Sequence, residues 1–287
     1  MENINYIRHG NHYLSDETDG YAYRYAISNG YTLESHLHNC YEFVYCTEGN
    51  LIYTVEGCEY FVSPGDMIFT RPNELHSFSF PESCLFERQF FHIYPNYIKD
   101  FPEIMRLIKP YHNGRKNYIP AHLVEQYELH RIFTTLKQCY GETKEITFAI
   151  AYACAILMMA KMNEILESVD FDEIRPLTNP TIQKILQYID SMLTKKITLD
   201  DIAKITFLSP VYVSALFKKE MGMNITEYIN MRRIVLVKNR ILTGGKISSV
   251  YIDCGFNNYS TFYRAFSKYV KMSPDEFKRQ NTHISIV

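Results

Sequence analysis

The sequence predicts a multidomain protein: an N-terminal all-β sandwich or small barrel, a central helical pair, and a C-terminal all-α domain. Three observations carry this. Over residues 21–93 aromatic and β-branched residues alternate with polar ones, and turn residues recur at 28–30, 47–50, 56–59 and 63–66, which is the pattern of many short strands. From about residue 123 the apolar spacing changes to the helical period. The last hundred residues contain an internal repeat of short helices.

The chain has 287 residues, 46% hydrophobic and 22% charged, enough for two domains with their own cores and too apolar for disorder. Seven cysteines (Cys40, Cys46, Cys58, Cys84, Cys139, Cys154, Cys254) include no CxxC pair, and the N-terminus shows no basic-then-apolar leader. A reducing cytoplasm is therefore expected. The apolar run between Glu145 and Lys161 is 15 residues long. At about 1.5 Å per residue it falls short of a hydrocarbon core of about 30 Å, so it reads as a buried helix, with no membrane partner.

Net charge is −2, but the two parts of the chain differ: residues 1–180 hold 14 Lys/Arg against 24 Asp/Glu (−10), and residues 181–287 hold 16 against 8 (+8). A basic tail on an acidic remainder suits a polyanionic partner.

In the middle of the chain, Leu123, Tyr127, Leu129, Phe133 and Leu136 predict one amphipathic helix, and 146–166 a second, mostly apolar one. Such apolar faces need the strand domain or a second subunit to cover them. Residues 169–181, acidic and carrying Pro176 and Pro180, read as a linker. The domain expectation is thus 1–115 for the strand domain with its N-terminal arm, 116–168 for a helical dimerisation segment, 169–181 for the linker and 182–287 for the helical domain.

The repeat pairs a copy beginning at Leu199 with one beginning at Ile247: Ile202 matches Val250, Leu208 matches Phe256, Phe217 matches Phe266, Lys219 matches Lys268 and Met223 matches Met272. Each copy (199–221 and 247–270) is a helix, a tight turn and a second helix, joined by a helix over 225–243 that ends at Gly244 and Gly245. Ser209 is placed to cap the second helix of the first copy, and Pro210 suits its first position. Val213, Leu216 and Phe217 should pack on Ile202 and Ala203, leaving Val211, Ser214, Ala215 and Lys218 outside. In the second copy Phe262, Phe266 and Tyr269 face in, while Tyr259, Ser260, Tyr263 and Arg264 face out. This is helix-turn-helix logic. Some eighteen residues of joining helix span roughly 27 Å, a length that suits two such units on one duplex; Arg232, Arg233, Lys238 and Arg240 on it would meet phosphates or acidic neighbours.

Residues 199–279 resemble the double helix-turn-helix domain of the AraC family of transcription regulators. The matching elements are "IA" at 202–203, "LS" at 208–209, "LFKKEMG" at 216–222, "EY" at 227–228 with Arg232, "GF" at 255–256, Phe262 with "RAF" at 264–266, and "SPDEFKR" at 273–279. The resemblance implies sequence-specific binding to a double-stranded DNA operator through Ser209, Val211, Tyr212, Ser214, Ala215, Lys218, Lys219, Tyr259, Ser260, Tyr263, Arg264 and Lys268. It also implies a homodimer and a contact with RNA polymerase. Two departures stand out: Tyr251 replaces a usually small residue, so the second unit's helices are expected to be displaced, and the first recognition helix lacks long polar side chains. Val211, Ser214 and Ala215 would touch thymine methyls, Arg264 would read more of the sequence, and Lys218, Lys219 and Lys268 would grip phosphate.

Upstream, the spacing Gly30, His36, His38, Glu42, Gly49, followed by Gly65, Pro72 and His76, resembles the motifs of the cupin fold over about residues 21–93. On one extended strand His36, His38, Cys40 and Glu42 would share a face. Three imidazoles and a carboxylate suit Fe, Mn, Ni or Zn. The alternative, which the regulator resemblance implies, is that His36, His38, Glu42 and His76 bind a small polar effector, such as a sugar, with no cofactor required. His9, His12, His92, His112, His122, His130 and His283 share no spacing and are expected to be surface or core residues. There is no GxGxxG after a strand, no GxxxxGK[ST] and no GxSxG. The expected function is a cytoplasmic, effector-controlled regulator without catalysis. A metal-dependent cupin enzyme fused to a DNA-binding domain, or a constitutive regulator with a structural barrel, are the alternatives.

Overall fold

The computed structural model describes residues 21–28, 33–36, 38, 40–72, 74–80, 86–98, 100–101, 104, 117–139, 144–169, 177–242 and 244–282. The expected N-terminal arm, Gly30, most of the linker, Cys84, and His9, His12, His112 and His283 lie outside these residues. The chain divides into two compact units, Met1–Thr178 and Asn179–Val287.

The first unit is built from β1 (Tyr21–Ser28), β2 (Leu33–His36), β3 (Tyr41–Glu48), β4 (Leu51–Val55), β5 (Cys58–Val62), β6 (Met67–Thr70), β7 (His76–Ser79), β8 (Phe86–Ile93), β9 (Tyr118–Ile119) and β10 (Leu177–Thr178). They form two five-stranded sheets, β1-β8-β3-β6-β9 and β10-β5-β4-β7-β2. The turns that connect β4 to β5 and β6 to its predecessor fall where the sequence places them, with Gly57 and Gly65 in the left-handed region. Val44, Cys46, Leu51, Tyr53, Val55, Tyr60, Ile68, Phe78, Phe86 and Phe90 form the apolar core of the strand domain. Tyr41, Phe43, Met67, Phe69, Phe91 and Ile93 belong to a second cluster shared with helices α1 (Ala121–Gln126), α2 (Leu129–Gln138) and α3 (Lys144–Ser168). With helices on one face and core on the other, β8 is buried nearly throughout instead of alternating. The strand domain is thus one partner of the apolar helices.

Two helical expectations change. The single helix expected over 123–136 is broken: α1 ends at Gln126, and Glu128 takes φ 55° before α2 begins. In a continuous helix Val124 and Leu129, five residues apart, would point about 140° away from each other; the break lets both enter the same cluster. The apolar run of 15 residues belongs to a helix that continues well beyond it. Glu145–Ser168 is long and apolar enough to cross a bilayer, so length does not exclude that reading. What the structure shows is that Ala151, Cys154, Ala155, Met158, Met159, Met162 and Ile165 are buried in the cluster with the sheet, while Ile146, Phe148 and Leu157 are exposed.

The second unit is all-helical: α4 (Pro180–Met192), α5 (Leu199–Thr206), α6 (Pro210–Met221), α7 (Ile225–Leu242), α8 (Ile247–Asp253), α9 (Tyr259–Val270) and α10 (Pro274–Thr282). Helix α4 starts inside the stretch read as linker, capped by Asn179, whose side chain accepts from Thr181 N–H at 3.0 Å. Thr198 and Asp201 form a reciprocal capping box at α5. Ser209 accepts from Tyr212 N–H at 3.3 Å with Pro210 at the first turn of α6, as expected, and Asn258 accepts from Thr261 N–H at 2.8 Å at α9.

Both helix-turn-helix units are fastened to the first turn of α7. The Phe217 ring of α6 lies 5.6 Å from that of Tyr228, and Lys268 Nζ and the Tyr269 hydroxyl of α9 donate to Glu227 at 2.9 and 3.3 Å. Farther along, Ile234, Val237 and Ile241 share a core with Phe256, Phe262 and Phe266. Packing along α7, not its length alone, sets the arrangement of the units. Arg233 does not meet phosphate or an acid: it is buried, and its Nε and Nη2 donate to Leu193 O at 2.9 Å and Lys195 O at 2.6 Å, satisfying carbonyls at the end of α4. Arg232 and Arg240 meet acids, Asp190 at 3.0 Å and Asp253 at 3.4 Å, and Lys238 lies 5.5 Å from the Phe277 ring.

Candidate functional site

The polar cluster of the barrel centres on Glu42, the second residue of β3. Strand alternation turns Tyr41 and Phe43 toward the helices, and hence Glu42 toward the other face of the sheet. It is 1% exposed. Its register partner on β8 is His92, whose Nε2 donates to Glu42 Oε1 at 2.8 Å. The Tyr53 hydroxyl, from β4 in the opposite sheet, donates to Oε2 at 2.8 Å. His76 Nε2 lies 3.3 Å and His38 Nε2 3.6 Å from the same oxygen. His36 pairs with His76 between β2 and β7, with ring centroids 4.2 Å apart. The structure therefore brings His36, His38, Glu42 and His76 together, by a route other than the expected one. They do not share one strand: β2 belongs to one sheet and β3 to the other, so the chain crosses the barrel between His36 and Tyr41. His38 and Cys40 sit on that crossing, with His38 Nδ1 and Cys40 Sγ 3.1 Å apart.

His92, expected as a surface or core residue, is a core residue, and the structure adds it to this cluster together with Tyr53. Alternation along β8, where His92 follows Phe86, Arg88 and Phe90 at intervals of two, was the available signal. His122 is exposed, and His130 lies 3.3 Å from Glu125 at the surface.

Protonation in the cluster is coupled. Burial alone would raise the Glu42 carboxyl, but hydrogen bonds to His38, His76 and His92 outweigh it and hold the group well below its usual range. Burial drives His38 down from 6.5 to about 4 against the pull of Glu42, so this imidazole is neutral. For His76 burial also lowers, yet its bonds to Glu42 and to Glu74 O prevail and raise it. His76 Nδ1 donates to Glu74 O at 2.8 Å, so a neutral ring would aim its Nε2 lone pair at a carboxylate oxygen. Only a proton or another cation on Nε2 removes that repulsion. One ligand atom each from His36, His38 and His76 also lie within 4.8 Å of one another. The donor set therefore fits a divalent ion as well as a hydrogen-bonding ligand.

In the second unit, the expected outer faces are outside. Val211 is 80% exposed; Ser209, Tyr212, Ala215, Lys218, Lys219, Tyr259, Ser260, Tyr263 and Arg264 are exposed, and Ser214 is half-buried. Val213 and Phe217 face in, with Ile202 and Ala203 buried on the preceding helix and Leu216 half-buried. Lys219 Nζ stands 3.8 Å from Glu220. Arg264 Nε reaches back to Ser260 O at 3.4 Å. Lys268 is tied to Glu227, so it would have to share that partner with any phosphate. Tyr251 is taken into an aromatic stack, 5.5 Å from Phe262 and nearly parallel to it.

A family of helix-turn-helix domains matches residues 202–280, and a family of cupin domains matches residues 24–85. The regulatory protein PocR of Salmonella typhimurium is 31% identical over 106 residues, 36% of this chain and 35% of that protein. The C-terminal domain is thus a helix-turn-helix domain of the AraC type. A relative matched over more of its length is XylDLEGF operon transcriptional activator 1 of Pseudomonas putida, 21% identical over 253 residues, 85% of this chain and 74% of the relative. The crystal structure of ToxT from Vibrio cholerae aligns with 92% of this chain and 99% of its own at 16% identity and a TM-score of 0.39, a loose likeness. The chain spans about a third of the length of the first relatives it matches, PocR among them.

Proposed function

We propose that the chain is a sequence-specific DNA-binding transcription regulator whose barrel takes a small polar effector, such as a sugar, at His36, His38, Glu42 and His76. The observation that carries the DNA-binding half is the doubled unit: α6 and α9 each bury one face and leave recognition-type side chains in solvent, within a unit that carries +8 on residues 181–287. Val211 and Ala215 offer thymine methyls an apolar contact, Arg264 offers a base edge a bidentate donor, and Lys218 and Lys219 serve phosphates. The exposed Ile146, Phe148 and Leu157 of α3 supply a homodimer contact. The setting is the cytoplasm, RNA polymerase is a further partner, and no turnover is expected of the barrel. Effector binding would shift the barrel or dimer geometry and so the placement of the paired DNA-binding units. Selecting bound fragments from random and genomic DNA, with and without a metabolite panel, tests both halves. Failure to enrich any sequence removes the regulator reading. Enrichment that no compound alters in affinity or half-site spacing removes the effector.

A second reading has its own observation, His76 Nε2 standing 3.3 Å from Glu42 Oε2 while Nδ1 of the same ring is engaged by Glu74 O. A divalent metal would be held by His36, His38, His76 and Glu42, with Tyr53 and His92 orienting the carboxylate from behind. Such an ion would supply a positive centre for an anionic or chelating effector. Elemental analysis of the purified protein beside His76→Ala tests it: stoichiometric metal lost in the variant supports it, and metal-free protein after growth in supplemented medium refutes it.

A further inference from the structure

The two repeated units provide an internal reference for one residue that the recognition faces do not include. Leu208 and Phe256 are matched in the repeat and close the two turns alike: Leu208 N–H donates to Ala203 O at 3.2 Å, and Phe256 N–H to Tyr251 O at 3.0 Å. One residue earlier both copies pass through the left-handed region, at Phe207 with φ 59° and at Gly255 with φ 90°. Glycine adopts that conformation freely, whereas a side chain there is strained. At 255 glycine is required, because a Cβ would stand 2.7 Å from Leu193 O and 2.8 Å from Arg233 Nε. At 207 the surroundings are open, and the phenylalanine is 88% exposed. Neither backbone preference nor burial accounts for an aromatic ring at that point.

Its neighbours indicate what the ring faces. Val211 and Tyr212, on the first turn of α6, are also exposed, so three apolar side chains lie within six residues around the N-terminal end of a recognition helix. Lys184 Nζ of α4 lies 5.2 Å from the Phe207 ring centroid. An apolar patch with an ammonium beside it, at the end of a helix that presents backbone N–H groups and in a unit of net positive charge, complements a sugar-phosphate strand better than a protein core. We propose that Phe207 is a DNA contact: its ring packs on a deoxyribose or thymine methyl at the edge of the groove that α6 enters, and Lys184 takes the adjoining phosphate. This rests on the DNA-binding reading given above.

The test uses the full-length protein and an operator fragment selected with it, comparing wild type, Phe207→Gly and Phe207→Leu. Phe207→Gly removes the ring and relieves the backbone, so its thermal midpoint should rise while DNA affinity falls roughly tenfold. Phe207→Leu keeps an apolar side chain at the same strained position and should bind within about threefold of wild type. A uracil-substituted fragment, lacking the thymine methyls, separates the two surfaces: Val211 and Ala215 also meet methyls, so the readout is the difference between proteins, a smaller loss in Phe207→Gly than in wild type assigning the methyl and an equal loss assigning the sugar. If Phe207→Gly is more stable and binds the fragment as tightly as wild type, the proposal is wrong. The same holds if its DNA affinity is kept while self-association or polymerase-dependent transcription is lost, since the patch then meets protein. Wild-type protein that selects no fragment at all refutes the underlying reading, an outcome visible before any variant is made.

Discussion

Glu42 draws its two strongest hydrogen bonds from different sheets, Tyr53 from one and His92 from the other, so a single carboxylate joins them across the barrel. Glu42→Leu should leave those buried donors unpaired and destabilise the N-terminal unit by about 2–4 kcal/mol, read by circular dichroism in urea because the chain has no tryptophan. An unchanged midpoint would show that water replaces the carboxylate at no loss. The same cluster gives a pH dependence whose sign can be worked out. His38 titrates at about 4 when folded and 6.5 ordinarily, so between those values the unfolded chain binds the extra proton and acid destabilises the fold. His76, raised, contributes with the opposite sign: its stabilisation is present below 6.5 and is lost as pH rises through its folded value. The wild-type profile is therefore a sum, and the difference from His38→Gln isolates one part. In chelator-treated protein the variant should gain on wild type by up to about 3 kcal/mol as pH falls from 6.5 to 4. A constant difference across that range would refute the neutral, buried His38. The metal-type donors His36, His38, Glu42 and His76 were legible as a spacing because they cluster in two short stretches. His92 was not, because its tie to Glu42 is a strand register, and register follows from the fold.

Elements show a similar division. The caps at Ser209 and Pro210 could be placed from composition, since the side chain that ends a helix must sit next to it in sequence. Thr198→Ala should remove the capping box at α5 and cost about 1 kcal/mol of stability in the C-terminal unit, measured by thermal denaturation. The break at Glu128 was hidden because Leu123, Tyr127, Leu129 and Phe133 keep an acceptable apolar rhythm whether or not the helix is continuous. The role of Arg233 is hidden for a related reason: an arginine on a helix looks like a surface charge until another helix delivers its carbonyls. Gly255→Ala tests that packing. With φ at 90° and a Cβ 2.8 Å from Arg233 Nε, the variant should lose at least about 2 kcal/mol, and a stable variant would show that the guanidinium can move aside.

At the scale of the whole molecule, the proposed DNA recognition can be tested at a single side chain. Arg264→Ala should cost about 1–3 kcal/mol of operator affinity and relax preference at one base pair, measured by competition against single-position variants of the selected site. A uniform loss across all sequences would make it a phosphate contact instead. The covalent connection at the boundary of the two units is short. Strand β10 is hydrogen-bonded to β5 through Thr178, and α4 begins at Pro180, leaving Asn179 as the sole intervening residue. A connection that short leaves the chain only the backbone dihedrals of about one residue to vary at that joint. Two glycines inserted after Thr178 multiply those freedoms, and the β10–β5 pairing should survive them, read as unchanged amide-exchange protection at Cys58 and Glu59.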